Sequence, residues 1–458
     1  LALSALAVSS IPFFSLIGWL FPSATAWLVV VALVLVTMAT IARIEWGIAI
    51  VFGELMIGSF GHWLTVSERV GSASVRMLLF AAFLVSTAAV YMLRPKQRAW
   101  SSSVIKPWVI IAILMSLYGV ARGFARAIPV DDLIDDSNQW LFLAIILPLG
   151  LCERERLGRI LVVLWPAASI ALFVLGAALL YTFTHDEGLN IAMAIYRWTR
   201  DTLIAEVTVI TPSVVRVFAQ SQIIVIPVFW ALLHARTRSA WHWAVLTMTA
   251  AVLIMSLSRS FIVGLAGVLL LALLALPERR RIAGNVALSV GLGVAVLFMI
   301  ARFPFPHPGV GSITQGFVQR STLDDPASRT RWALLPPLWE GVRQHWILGS
   351  GTGASIEYKS QDPRVLQQQP EGLFRTHAFE WGVLDLWFKF GLLGLVFYGS
   401  ILWQSLWYAR HRRPVAALSI LTVALIHVFT PYLNHPIGLA MLFGIDQLST
   451  DRDLFQGI

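Results

Sequence analysis

Cysteine is all but missing from this 458-residue chain: Cys152 stands alone, which excludes an intramolecular disulfide and any cysteine-built metal cage. Charge is scarce as well. Charged residues make up 13% of the chain, against roughly a quarter in soluble proteins, and the mean hydropathy is +0.75. A water-soluble globular protein is thereby excluded. Also missing are the alternating ten-residue segments of a membrane β-barrel, internal repeats and low-complexity tracts.

What is present in quantity is hydrocarbon. Apolar residues reach 57% and fall in long unbroken runs, which imply an all-α polytopic integral membrane protein of about 12–14 transmembrane helices. Spans are expected at 2–20, 25–41, 46–60, 74–93, 104–121, 138–152, 160–181, 217–234, 242–256, 260–276, 283–302, 379–407 and 415–430. A short apolar piece at 436–446 is either a last span or half a helix. The first segment has neither a charged leader nor a small-residue cleavage site, so it reads as a span and not as a removed signal. The organisation that follows is a helical bundle over 1–302, one large periplasmic loop subdomain over 303–378, and further membrane helices over 379–458.

The net charge of +9 does not point to nucleic acid, because the basic residues sit in short loops. RPKQR (94–98), CERERLGR (152–159), HARTR (234–238), PERRR (277–281) and YARHRRP (408–414) all fall on one side, which the positive-inside rule makes cytoplasmic. The opposite side receives 122–137, 182–216, a tight turn near 257–260 and the loop 303–378. Within 182–216, IAMAIYRWTRDTLIAEV has helical apolar spacing broken by Arg197, Arg200 and Asp201, as expected of a helix lying along the membrane surface. The prolines of FPFPHPG (303–309) end any continuing helix.

Ionisable side chains near hydrocarbon are costly and usually face a polar cavity. Arg216, before RVFAQSQIIVI, Arg259, in the SLSRS turn, and His377, at the end of the large loop, share one side. Taken singly, the arginines serve equally well as interfacial anchors reaching headgroups, and His377 as a loop histidine bonded to backbone. Together, opposite the large loop, they point to a common anionic ligand. A guanidinium offers a diphosphate paired, charge-assisted hydrogen bonds without losing its proton, and a histidine can accept a proton at neutral pH.

Other motifs carry less. GSGTG (349–353) lacks the Lys-Ser/Thr of a phosphate loop and reads as a tight turn letting the loop double back. In DDLIDD (131–136), Asp131, Asp132 and Asp135 have the spacing that holds Mg²⁺ on a prenyl diphosphate, but there is one such run, and a solvated loop without an ion is the expected reading. Asp324 and Asp325 read as turn residues ahead of a proline. Trp198, Trp332, Trp339, Trp346 and Trp381 suit interfacial anchoring and a sugar-binding cleft alike.

The order of these features is RVFAQSQ (216–222), SLSRSFIVGLAG (256–267), SRTRWALLPPLWEGVRQHWILGSGTG (328–353) and RTHAFEWGVLDLWFKFGLLGL (375–395). It resembles the O-antigen ligase and polymerase superfamily of bacterial envelope enzymes, over roughly residues 210–450. The resemblance implies a glycosyltransferase without metal or cofactor, on the periplasmic face of the bacterial inner membrane. Its donor would be a glycan on undecaprenyl diphosphate. Its acceptor would be a glycolipid (lipid A–core oligosaccharide) in a ligase or another lipid-linked glycan unit in a polymerase, with membrane lipids around it and no nucleic acid. By the same resemblance Arg216 and Arg259 correspond to diphosphate-contacting arginines and His377 to the general base. Arg122, Arg126, Arg329, Arg331 and Trp332 are further candidate substrate contacts. Ala378 departs from the family, where Asn commonly follows the histidine. Two other classes stay open: a transporter or flippase of a lipid-linked saccharide, and a Mg²⁺-dependent prenyl transferase using DDLIDD.

Overall fold

Lipid offers a backbone no hydrogen-bond partner, so each N–H and C=O must be satisfied within its own segment, and long apolar runs become helices. The computed structural model describes residues 2–64, 74–94, 100–185, 190–211, 214–235, 239–305, 326–361, 363–369 and 371–448. The chain begins with α1 (Ala2–Leu20), α2 (Pro22–Ala42), α3 (Ile44–Ile57), α4 (Val75–Leu93) and α5 (Pro107–Ala125). A short acidic helix, α6 (Val130–Ser137), leads through a 3-10 segment into α7 (Ile146–Leu151). Next come α8 (Arg154–His185), α9 (Ile191–Thr202), the strands β1 (Glu206–Thr211) and β2 (Val214–Phe218), and α10 (Val225–His234). They are followed by α11 (Ala240–Met255), α12 (Arg259–Ala275) and α13 (Arg279–Ala301). The last part contains α14 (Pro326–Gln344), β3 (Ile356–Lys359), α15 (Pro363–Gln368) and β4 (Leu373–Thr376). It closes with α16 (Gly382–Phe390), α17 (Leu392–Arg410), α18 (Pro414–Phe429) and α19 (Pro436–Leu448).

Among the described residues α2, α4, α5, α8, α13 and α17 are long and apolar enough to cross a membrane, and six shorter apolar helices accompany them. Trp27, Leu93 and Leu274 lie bare on the outside, each more than 70% exposed, as side chains facing hydrocarbon do. The protein is a polytopic, mostly helical membrane protein. The segment at 436–446 belongs to α19, 13 residues buried from Ile437 to Leu448 against α3, α8 and α18. At its end the Asp446 carboxylate accepts from Tyr408 and Trp108, and Arg154 donates to the Asp446 carbonyl at 2.8 Å. The basic segments 152–159 and 408–414 therefore share one end of the molecule.

Three expected spans are interrupted. Segment 379–407 divides into α16 and α17 at Gly391, whose φ of +61° stops the first helix while its N–H still bonds the Trp387 carbonyl at 2.8 Å. Segment 217–234 starts as a strand: EVTVIT and VVRVF are rich in β-branched residues and pair antiparallel, with Thr208 opposite Arg216. Segment 138–152 begins as a 3-10 segment, 138–145, ahead of Pro148, which cannot donate to a preceding carbonyl. Among its described residues, the region 303–378 holds two helices and the antiparallel ribbon β3–β4, so two small ribbons among the described residues supplement the expected all-α fold. The amphipathic stretch after residue 190 forms α9, with Trp198 and Thr202 buried. Asp324, Asp325, the FPFPHPG residues beyond 305 and the basic segments 95–98 and 236–238 lie outside the described residues.

The end opposite Asp446 is organised by two buried ion networks. DDLIDD, expected as a solvated loop, is instead helix α6, with Asp136 buried. The Lys389 ammonium lies 2.7 Å from the Asp136 carboxylate and 2.8 Å from that of Asp385 one turn earlier. All three side chains are less than 5% exposed. Asn434 donates to Asp385, and the second Asp136 oxygen accepts from the Gly353 N–H at 2.8 Å. GSGTG is a turn, with φ of +69°, +93° and +80° at Gly349, Gly351 and Gly353. It presses so closely on α5 that a Cβ at Gly351 would lie 2.6 Å from the Gly123 nitrogen. In the second network Arg76 bonds Glu54 at 2.8 and 3.1 Å and the Ser59 carbonyl at 2.8 Å. The Ser59 hydroxyl accepts from the Gln220 N–H at 3.1 Å. Burial, and then the Arg76 charge, push the His435 imidazole down to about 3 and lower that of His62.

Removing one member of a buried ion network leaves uncompensated charge, so Lys389→Met is expected to cost about 3–5 kcal/mol. A denaturation midpoint in detergent matching the wild type would contradict that role. His435 stays neutral in the folded state while its unfolded counterpart protonates below about pH 6.5. Stability is therefore full above that pH and declines as pH falls from about 6.5 toward 3. Thermal unfolding from pH 7.5 to 5 should show this decline, and His435→Gln should flatten it; an equal slope in the variant would refute the assignment.

Candidate functional site

The first component of the site is the β1–β2 ribbon. Arg216, on β2, pairs with Glu206 at 3.1 Å, and its Nε donates to the Ser256 carbonyl at 3.1 Å. Its guanidinium lies 4.7 Å from the Phe218 ring centroid, and the side chain is 17% exposed. Arg216 thus fastens the ribbon to the turn between α11 and α12. That turn holds Leu257 at a φ of +43°, a conformation costly for a branched side chain. Two residues later Arg259, half-buried, opens α12.

The α12 start is tied to the chain between α18 and α19. Thr430 donates to the Ser260 hydroxyl at 3.0 Å, and Phe261 packs on both Phe218 and Tyr432. Tyr432 is fully buried, and its hydroxyl has no hydrogen-bond partner among the described residues. Burial drives the ionisation of this phenol upward, and the charges of Arg216 and Arg331 act against that, so both guanidiniums lie within electrostatic reach of it. Arg216 and Arg331 are 115 positions apart in sequence, and the fold brings both into the neighbourhood of this hydroxyl.

Arg331 stands on α14 and makes two contacts with Glu380, the second at 3.2 Å. The Trp381 indole donates to the Arg331 carbonyl at 3.1 Å and its ring meets Trp332 and Phe429. Arg329 and Trp332 are exposed on the same helix. His377 is half-buried in the segment leaving β4, three residues before Glu380. The residues on either side of it, Thr376 and Ala378, line a cavity of about 400 Å³ together with Arg331, Glu380, Tyr358 and Phe374. The Thr376 hydroxyl accepts from the Ala378 N–H at 3.0 Å, holding the backbone around His377 in a tight turn.

Arg122 and Arg126 stand elsewhere. Arg122 donates to the Gly349 carbonyl at 3.4 Å, and Arg126 lines a second cavity with His345 and Arg375. DDLIDD is engaged by protein: Asp132 pairs with Arg375 at 3.1 Å and Asp136 with Lys389. Sequence reasoning passed over Glu380 and Tyr432. Glu380 lay within the quoted RTHAFEW, and Tyr432 in FTPYLNHP, the polar gap between the last two apolar segments. A polar, aromatic-bearing gap at the mouth of a buried helix was the available signal.

The arrangement offers guanidiniums from three separate elements, with an imidazole three residues along the chain from the glutamate that pairs with one of them. Residues 243–399 match the family model described as O-antigen ligase. The match takes in Arg259, Arg331, His377 and Glu380, while Arg216 precedes it. No curated protein matches the chain. Residues 243–399 are therefore an O-antigen ligase family domain, of glycosyltransferase type, carried in a multi-pass membrane protein.

Proposed function

We propose that this enzyme moves a glycan from undecaprenyl diphosphate to a hydroxyl of a glycolipid or a second lipid-linked glycan. Arg216 and Arg259 hold the diphosphate and His377 acts as general base. The observation that carries the reading is that Arg216 and Arg331 both lie within electrostatic reach of the buried Tyr432, with Arg259 one residue from the Ser260–Thr430 contact. Family membership supports lipid-linked glycan transfer. The basic segments at the opposite end support a periplasmic site in the bacterial inner membrane.

In the step itself, the His377 imidazole takes the proton of the acceptor hydroxyl as its oxygen attacks the anomeric carbon. The bond from that carbon to the diphosphate oxygen breaks, and undecaprenyl diphosphate leaves with the electron pair. Attack opposite the leaving group inverts the anomeric centre. The leaving group gains negative charge, and guanidiniums that stay protonated stabilise it where it develops. The arginines supply the cationic charge for departure, and the half-buried loop position of His377 gives its ring access to an incoming hydroxyl. Arg331 is held by Glu380 beside the cavity that Thr376 and Ala378 also line.

Transfer by the purified full-length protein in detergent containing EDTA tests the scheme. His377→Ala should lower turnover by about 100- to 10,000-fold with donor binding retained. Arg259→Ala should weaken donor binding and turnover together. Full activity of the His377 variant would remove the base assignment. Activity lost in EDTA and restored by Mg²⁺ would replace the arginine–histidine scheme with an aspartate one.

A further inference from the structure

A second polar cavity, of about 350 Å³, opens where α5 ends, bounded by the last turn of α14 and the β3–β4 ribbon. Arg126, Gln344, His345, Ser350, Ser355 and Arg375 line it. Arg375 is held in place, its Nε donating to the Ser355 hydroxyl at 2.6 Å and its Nη2 to Asp132 at 3.1 Å. Burial, then the charges of Arg126 and Arg122, lower the His345 imidazole, so both guanidiniums lie within electrostatic reach of this ring. Ser350 is 4% exposed, and its hydroxyl has no hydrogen-bond partner among the described residues. Two guanidiniums, Arg126 and Arg375, thus line the cavity, with Arg122 near them and Arg375 paired to Asp132. A buried donor without a partner opens among them, an arrangement that favours a multivalent oxyanion.

The position of the cavity along α14 bears on which substrate it can serve. Thr330, Arg331 and Leu334 line the first cavity and Gly341, Gln344 and His345 the second, so the two open toward opposite ends of that helix, with the buried Leu338 between them. The strand β4 borders both, through Thr376 and Arg375, and His377 follows directly. A group bound here is set apart along α14 from a diphosphate held near Arg331, with the base one residue beyond the strand that borders both cavities. That is the position of the second substrate in a two-substrate transfer.

We propose that the cavity of Arg126, His345, Ser350 and Arg375 is an anion subsite that holds a phosphate on the sugar head of the acceptor. The inference rests on the glycosyl-transfer reading and specifies its acceptor as a phosphate-bearing glycolipid. Its volume lies within the ordinary range of small-ligand sites, about 300–1,000 Å³, enough for a phosphorylated sugar and not for a whole glycan.

Binding to the full-length protein in detergent tests it without requiring turnover. The probes are a disaccharide glycolipid carrying two phosphate monoesters, the same lipid after phosphatase treatment, undecaprenyl diphosphate, and inorganic phosphate. The double variant Arg126→Gln/Arg375→Gln should weaken the phosphorylated glycolipid by about tenfold or more. It should leave the phosphatase-treated lipid and undecaprenyl diphosphate unchanged. Arg126→Gln alone keeps the Arg375–Asp132 pair and should show the same selectivity in smaller measure. Arg216→Gln should weaken undecaprenyl diphosphate and spare the glycolipid. Inorganic phosphate competing as well as the glycolipid would show that the site takes free phosphate and overturn the acceptor assignment. Equal affinity for the phosphorylated and treated lipids, or equal loss of both lipid ligands in the double variant, would overturn the subsite. Wild-type protein that ignores undecaprenyl diphosphate while binding the phosphorylated glycolipid through Arg126 and Arg375 would instead sink the donor reading and keep the anion site.

Discussion

The Lys389 ammonium, held between the carboxylates of Asp136 and Asp385, is the contact on which the site end of the molecule depends. It joins segments from three distant parts of the chain: the acidic helix α6, the short helix α16, and, through Asn434, the connection leading to the buried α19. Through the second Asp136 oxygen it also anchors the glycine turn at 349–353. Burying these charges is expensive in an apolar surrounding, and the cost is offset because the ammonium sits between two carboxylates that also accept from Asn434 and the Gly353 N–H. Such a cluster tolerates one geometry and few others, so it favours a single arrangement of the elements it joins.

That single arrangement matters because α16 faces two ways. One side carries Asp385 and Lys389 into the buried network. At its start, Trp381 bonds the Arg331 backbone and packs on Phe429. The segment bearing His377 is therefore suspended between β4 and a helix whose position is set by ion pairing. Arg216 is fixed independently, by Glu206 and the Ser256 carbonyl, and both arginines act electrostatically on Tyr432. The Tyr432 hydroxyl, buried and without a hydrogen-bond partner among the described residues, marks a point where the scaffold stops satisfying its own polar atoms.

The distribution of charge follows the same division. Basic loops collect at the end of Asp446, Arg154 and Arg413, where they orient the chain in its membrane. At the other end Arg331 lines one cavity and Arg126 and Arg375 another, with Arg331 braced by Glu380 and Arg375 by Asp132. Cations braced before substrate arrives need little reorganisation when charge moves during transfer.

Much of this was legible in sequence for physical reasons. Apolar run length determined the membrane class and most helix positions, because hydrocarbon enforces internal hydrogen bonding whatever the packing. Charge asymmetry predicted which loops share an end, and the cost of ionisable groups near lipid singled out Arg216, Arg259 and His377. What only tertiary structure decided were the pairings. Asp136 and Lys389 are 253 positions apart, and nothing local distinguishes Asp136 from the three other aspartates of DDLIDD. The break at Gly391, beside the Ile347 carbonyl, and the placing of Arg375 against Asp132 depend on contacts from elsewhere in the chain. Local composition selects a segment's solvent, but the partner of a buried charge is chosen by which distant segment the fold brings beside it.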